Sequence, residues 1–172
     1  MCIRDRYTAK EISVEMSSPT RGGMKKIKRA IRYLVGAPRL IWKMKIWSVE
    51  EVPNINVVVD SDWAKAAHRK STSGGMMTFG GSVIKHWSRT QKSRALSSGE
   101  AEYYAVVGGC AEALGVQSIL QDLGWPDVCV QVGSDSSTAI SVSGRRGLGK
   151  LRHNELKYLW VQEVVNAKRV RI

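Results

Sequence analysis

A chain of 172 residues, 43% of them hydrophobic, can bury the core of one domain of ordinary size with a small appendage. Its 27 lysines and arginines against 15 aspartates and glutamates leave a net charge of +12, which points to a polyanionic partner, nucleic acid before membrane. Three cysteines without a C-x-x-C pair and three scattered histidines argue against a disulfide framework or a zinc site, and no run approaches the roughly 18 apolar residues that span a bilayer.

Cys2, Cys110 and Cys129 suit a reducing compartment, and His68, His86 and His153 read as loop or surface residues. The N-terminus lacks the apolar centre of a secretory signal, so a soluble protein of the cell interior is expected. Residues 1–6, Met1 to Arg6, read as a non-native leader and are set aside. From Tyr7 the chain reads as a helix, a turn at Ser17-Ser18-Pro19-Thr20 and a second helix. In that helix Met24, Ile27, Ile31, Leu34 and Val35 recur at helical spacing, so one face is expected to pack. Lys25, Lys26, Lys28, Arg29 and Arg32 make the other face basic, either merely solvated or in contact with phosphates. Gly36 and Pro38 stop the helix, Arg39 to Trp47 alternates as a half-buried strand would, and Ser48 to Asn54 reads as a boundary.

Ile55 to Val59 is β-branched at every apolar position, as in a central strand covered on both faces, and it runs into Asp60-Ser61-Asp62. An isolated D-x-D more often shapes only the turn that leaves a strand. Ala66 to Gly75 reads as a loop, and Met76 to Ser88 as a hairpin turning at Gly80-Gly81. Ser97-Ser98-Gly99-Glu100 has the spacing of a capping box, opening a helix rich in small residues that runs to about Leu123. Glu102 is not needed for that cap. It is either a surface acid near a favourable helix N-terminus or one aimed over the end of the neighbouring strand. Val128 to Val132 forms a further strand that also ends in an acid, Asp135, which could serve only to cap the helix after it. A basic loop at Gly144 to Lys150, a last helix over Leu151 to Asn166 and the start of a strand at Lys168 to Ile172 complete the order.

Several spaced motifs in this order resemble one family. Val59-Asp60-Ser61-Asp62-Trp63-Ala64, Arg69-Lys70-Ser71-Thr72-Ser73-Gly74, Trp87-Ser88, Gln91-Lys92, Ala95 to Tyr103 with its S-S-G-E-A-E core, Ser134-Asp135-Ser136-Ser137 and Arg152-His153 are similar to the ribonuclease H domain of Ty1/copia-type retrotransposon Pol polyproteins. Glu15 to Thr20 and Lys28 to Leu34 resemble the tail of the reverse transcriptase that precedes that domain. The resemblance implies residues 7–53 as reverse-transcriptase tail and 54–172 as an α/β (α+β), ribonuclease H-like domain. Its mixed sheet would comprise three antiparallel strands followed by helix, strand, helix and helix.

The same resemblance implies a metal-dependent endonuclease that cuts the RNA strand of RNA–DNA hybrids during reverse transcription, in the cytoplasm or a virus-like particle and away from membranes. Asp60, Glu102 and Asp135 would hold two Mg²⁺ ions, with Mn²⁺ as a substitute. Asp60 would bridge both ions, Glu102 would serve the ion near the leaving oxygen, and Asp135 the ion carrying the attacking water. Ser97 and Ser98 would meet the minor groove and 2′-hydroxyls, while Arg69, Lys70, Lys92 and Arg94 would hold phosphates. A fourth acid of the family follows the final strand, which begins at Arg169 to Ile172, so the resemblance implies a domain cut short at its C-terminus and weakened or inactive as a nuclease. Glu155, beside Arg152, His153 and Lys157, reads as a solvated ion-pair partner and not as the substitute. Against the nuclease stand a non-catalytic, nucleic-acid-binding remnant and a purely structural connection domain.

Overall fold

Alternating burial along the first strand shows how the sheet is built: Ile55, Val57 and Val59 are buried and Asn56, Val58 and Asp60 are exposed. The structure, a computed structural model, describes residues 3–38, 41, 43–44, 53–64, 69–147 and 158–172. It divides into two compact units, Met1–Lys43 and Met44–Ile172.

The first unit holds α1 (Ile3–Val14), which begins within the segment set aside as a leader, and α2 (Arg21–Gly36). Thr20 caps α2 by accepting from the Gly23 amide at 3.0 Å, and Glu15 accepts from the Thr20 hydroxyl and pairs with Lys26. The apolar stripe of α2 does not pack as its spacing predicts. Met24, Ile31, Leu34 and Val35 are all more than half exposed, because two short helices offer too little apolar surface to cover one another. Most of the strand expected at Arg39 to Trp47 lies outside the described residues, and Ile41, Lys43 and Met44 carry no regular structure.

The second unit is a five-stranded mixed sheet with helices, the α/β class expected. Its elements are β1 (Ile55–Asp62), β2 (Thr72–Phe79), β3 (Ser82–Thr90), α3 (Ser98–Asp122), β4 (Val130–Gly133), α4 (Ser137–Gly144), α5 (Trp160–Asn166) and β5 (Val170–Arg171). The strand order is β3-β2-β1-β4-β5, with β1 to β3 an antiparallel meander and β4 and β5 parallel to their neighbours. β2 and β3 turn at Gly80 and Gly81, whose φ values of 56° and 78° suit the two-residue loop that matches strand twist.

Three expectations are corrected here. β1 is not covered on both faces, since Val58 is 57% exposed; a β-branched run fits a half-buried strand equally well. β2 begins at Thr72 and not Met76, because Gly75 pairs with Trp87 and its missing Cβ leaves room for the indole. His86 is a buried residue of β3, opposite Met76, and not a surface histidine. His68 lies outside the described residues, as do Arg152, His153, Glu155 and Lys157 together with the start of the last expected helix.

α3 packs on β1, β2 and β4, and the small residues along it permit a close approach. A Cβ at Gly109 would stand 2.7 Å from Val59 Cγ1. Cys110, on the same helix, is fully buried, and burial pushes its thiol up to about 12, so it serves the core and not redox chemistry. α4 packs on α3 and α5, and the buried Gln162 of α5 bonds the carbonyls of Val142 and Gly147 and the Gly147 amide. That glutamine ties the basic loop to the helices. Among the described residues no helix is long and apolar enough to cross a membrane.

Between the edge strand β3 and α3, Lys85 and Arg89 donate to Glu112 at 2.5 and 2.6 Å. Burial raises the Glu112 pKa, but the two cations more than offset it and hold the carboxyl below its usual range. A depressed carboxylate contributes stability above its unfolded pKa and loses it as pH falls through the folded value. Glu112→Gln should therefore lower stability at neutral pH by about 1 kcal/mol, a figure kept small because both cations are partly exposed. The difference from the parent should vanish in unfolding curves taken well below pH 4.5, the ordinary value. An undiminished difference there would mean that packing, and not charge, is responsible.

Candidate metal centre

Parallel pairing of β1 with β4 sets the site. Their last registered pair is Val58 with Gly133, so Asp60 and Asp135 each stand two residues beyond it, side by side at one end of the sheet. Asp60 is still within β1, two residues before the strand ends, so it is held by the ladder and is not part of a turn that leaves the strand. Asp135 does not cap α4. Ser136 does so, accepting from the Ala139 amide at 3.2 Å, and the Asp135 carboxylate stays exposed.

Glu102 comes over from α3. Ser97 caps that helix by accepting from the Glu100 amide at 3.2 Å. The reciprocal half of the expected capping box is shifted by one residue: the buried Glu100 carboxylate accepts from the Leu96 amide at 2.7 Å and from the Tyr104 hydroxyl. With the helix start so fixed, Glu102 Oε1 accepts from both the amide and the hydroxyl of Ser61, at 3.1 and 2.8 Å. Ser61 has the same strand parity as Val57 and Val59 and therefore faces α3. Sequence reasoning passed over Ser61 as a spacer within D-S-D, although that parity could have marked it.

Asp60, Glu102 and Asp135 each offer a carboxylate oxygen within 4.8 Å of the others, and Asp62 is not among them. Burial raises the Glu102 pKa most; the Ser61 hydroxyl opposes that, and the charges of Asp60 and Asp135 add to it. Glu102 Oε2 is buried and has no hydrogen-bond partner among the described residues. A buried carboxylate oxygen without a donor is costly unless a cation meets it. Three carboxylates form a hard oxygen donor set, so these residues fit a divalent ion such as Mg²⁺ or Mn²⁺.

Of the residues expected to meet nucleic acid, Arg69, Lys92, Arg94 and Ser98 are exposed, and Lys70 and Ser97 are half-buried. The Ser97 hydroxyl already accepts from the helix cap, leaving its own hydrogen as the donor it can offer.

No family model matches the chain. It is 32% identical over 122 residues to the retrovirus-related Pol polyprotein from transposon TNT 1-94 of Nicotiana tabacum, an alignment covering 70% of this chain and 9% of that protein. The retrovirus-related Pol polyproteins from transposons RE1 and RE2 of Arabidopsis thaliana are 28% and 29% identical over 173 aligned positions, 96% of this chain and 11% of each of theirs. Among solved structures, the N-terminal RNase H domain of Rv2228c from Mycobacterium tuberculosis, fused to maltose-binding protein, has a TM-score of 0.42 at 16% identity over 69% of this chain and 79% of that one. The chain spans about a tenth of the length of the curated relatives it matches. The homologues of this chain are thus Pol polyproteins of copia-type transposons.

Proposed function

We propose that this chain carries the ribonuclease H of such a polyprotein and hydrolyses the RNA strand of RNA–DNA hybrids with Mg²⁺, or Mn²⁺ in its place. Residues 54–172 form the nuclease in this reading, and residues 7–53 the tail of the reverse transcriptase before it. The observation that carries it is the convergence of Asp60, Glu102 and Asp135 within 4.8 Å from two neighbouring strands and the helix laid across them.

Two bound divalent ions supply an activated water and stabilise the departing 3′-oxygen. The residues do the rest. Asp60, at the end of β1 beside both Asp135 and the overlying Glu102, would be the ligand shared by the ions, with Glu102 and Asp135 each completing the hold on one of them. Ser61 locks Glu102 by two hydrogen bonds, so the carboxylate cannot swing away. Without a cation the three carboxylates would repel a phosphodiester, which makes the reaction metal-dependent. Arg69, Lys70, Lys92 and Arg94 hold phosphates without reading sequence, and Ser97 and Ser98 offer hydroxyls to the 2′-OH that marks the RNA strand.

The full chain should cut the RNA strand of an end-labelled hybrid with Mg²⁺ or Mn²⁺, leave duplex DNA intact, and stop when EDTA is added. Binding of hybrid without cleavage under either metal would instead establish the non-catalytic remnant. Cleavage that survives EDTA would exclude the carboxylate cluster as its source.

A further inference from the structure

Trp63 stands three residues beyond Asp60, so their Cα atoms are no more than about 11 Å apart. It is 48% exposed, yet its ring is not free to turn: the indole N–H donates to the Ala95 carbonyl at 3.1 Å. On its other side the chain is forced into a sharp bend. Ala64 has φ 52°, a left-handed conformation that a residue with a Cβ seldom adopts, and its amide donates to the fully buried Ser71 hydroxyl at 3.2 Å. Strain of this kind persists where surrounding structure imposes it, and here it fixes the direction in which Trp63 leaves the strand.

The segment that receives the indole is equally constrained. Leu96, next to Ala95, is 67% exposed while its amide is held by the buried Glu100, two residues before Glu102 on the same helix. Two apolar side chains are thus presented to solvent by backbone tied directly to the carboxylate site. Lys92 and Arg94, a few residues away, are exposed and basic, and no acidic residue lies between Gln91 and Gly99. An apolar surface flanked by cations fits a nucleic acid strand, whose sugars and bases are apolar and whose phosphates are anionic. In a paired hybrid the bases are enclosed, and the shallow minor groove presents sugar edges.

We infer that Trp63 and Leu96 form an apolar ledge on which the sugar edge of the strand to be cut rests, setting its height above the carboxylates. Trp63 is a positioning residue in this account, which rests on the nuclease reading.

The test is hybrid binding by the full chain without divalent metal, measured by fluorescence anisotropy across a salt series. Trp63→Ala should weaken binding about tenfold, on the scale of a lost apolar contact, with the slope of log K against log salt unchanged. Lys92→Ala or Arg94→Ala should instead reduce that slope by about one. Trp63→Phe, which keeps an apolar ring but not the N–H, should bind within about threefold of the parent, because most of the apolar contact is retained. Leu96→Ser removes a side chain that is largely solvated, so it should fold normally, and it should weaken binding about threefold, less than the loss of a fully enclosed apolar contact. The ledge is overturned if both Trp63→Ala and Leu96→Ser match the parent, or if Trp63→Ala unfolds and Leu96→Ser binds as the parent does. It is also overturned if the Trp63→Ala loss comes with a changed salt slope. A parent that cuts no RNA but binds hybrid through this ledge would sink the nuclease reading alone, whereas a parent that binds no hybrid would sink both.

Discussion

Asp60→Asn is expected to lower Mg²⁺-dependent cleavage of hybrid by about a thousandfold or more, equivalent to roughly 4 kcal/mol of transition-state stabilisation. The amide keeps the shape of the side chain but loses the negative charge that it brings to the three-carboxylate cluster. Binding of hybrid should barely change, because phosphate contacts come from elsewhere and the loss of a negative charge can only favour a polyanion. Asp62→Asn is the matched comparison: the same chemical change two residues along, outside the cluster, should leave cleavage within about threefold on the same rate scale. Cleavage rates of the two variants at equal metal and enzyme decide the matter. Equal losses would show that negative charge near the strand end, and not a specific ligand, is what counts; undiminished cleavage by Asp60→Asn would remove it from the site.

Gly75→Ala should cost about 3 kcal/mol and lower Tm by on the order of 10 °C, whereas Gly74→Ala should fall within about 0.5 kcal/mol of the parent. A Cβ at Gly75 would run into the Trp87 indole, with Cη2 only 2.7 Å away, and that indole is 5% exposed and rigid. At Gly74 the nearest atoms to an added Cβ are carbonyl oxygens at 3.9 Å, an ordinary contact. Neighbouring glycines in one strand thus carry opposite demands, as alternation across a sheet requires. Thermal and urea unfolding of the two variants would check it. Similar melting temperatures would mean that Trp87 can move aside and is not wedged in the core.

What the sequence disclosed follows from which signals are local. The hairpin at Gly80-Gly81, the Ser97 cap and the end of α3 near Leu123 are written in adjacent residues, and each is found where expected. Asp60 and Asp135 could be noticed because each follows a run rich in β-branched residues, but their approach depends on β1 and β4 pairing in parallel, which no local pattern encodes. The family resemblance implied that the acids share a site, but not which strands pair to bring them together. The early start of β2 was hidden because Gly74 and Gly75 signal a loop unless the tryptophan across the strand is known. Asp135 and Ser136 are both good caps, so sequence could not say that Ser136 takes the helix and leaves the acid to the site. The stripe on α2 has the spacing of a packed face and is exposed, since periodicity states only that a face could be covered.

Pairing between Ile55 and Val130 joins segments with three strands' worth of chain and the whole of α3 between them. The β1 to β3 meander closes through short connections and can form early, whereas the β1 to β4 ladder must first close a long loop. Asp60 is therefore in place well before Asp135 can reach it. During synthesis the carboxylate cluster does not exist until the chain has emerged past β4 and the sheet has closed, so an unfinished or partly unfolded copy lacks the assembled site.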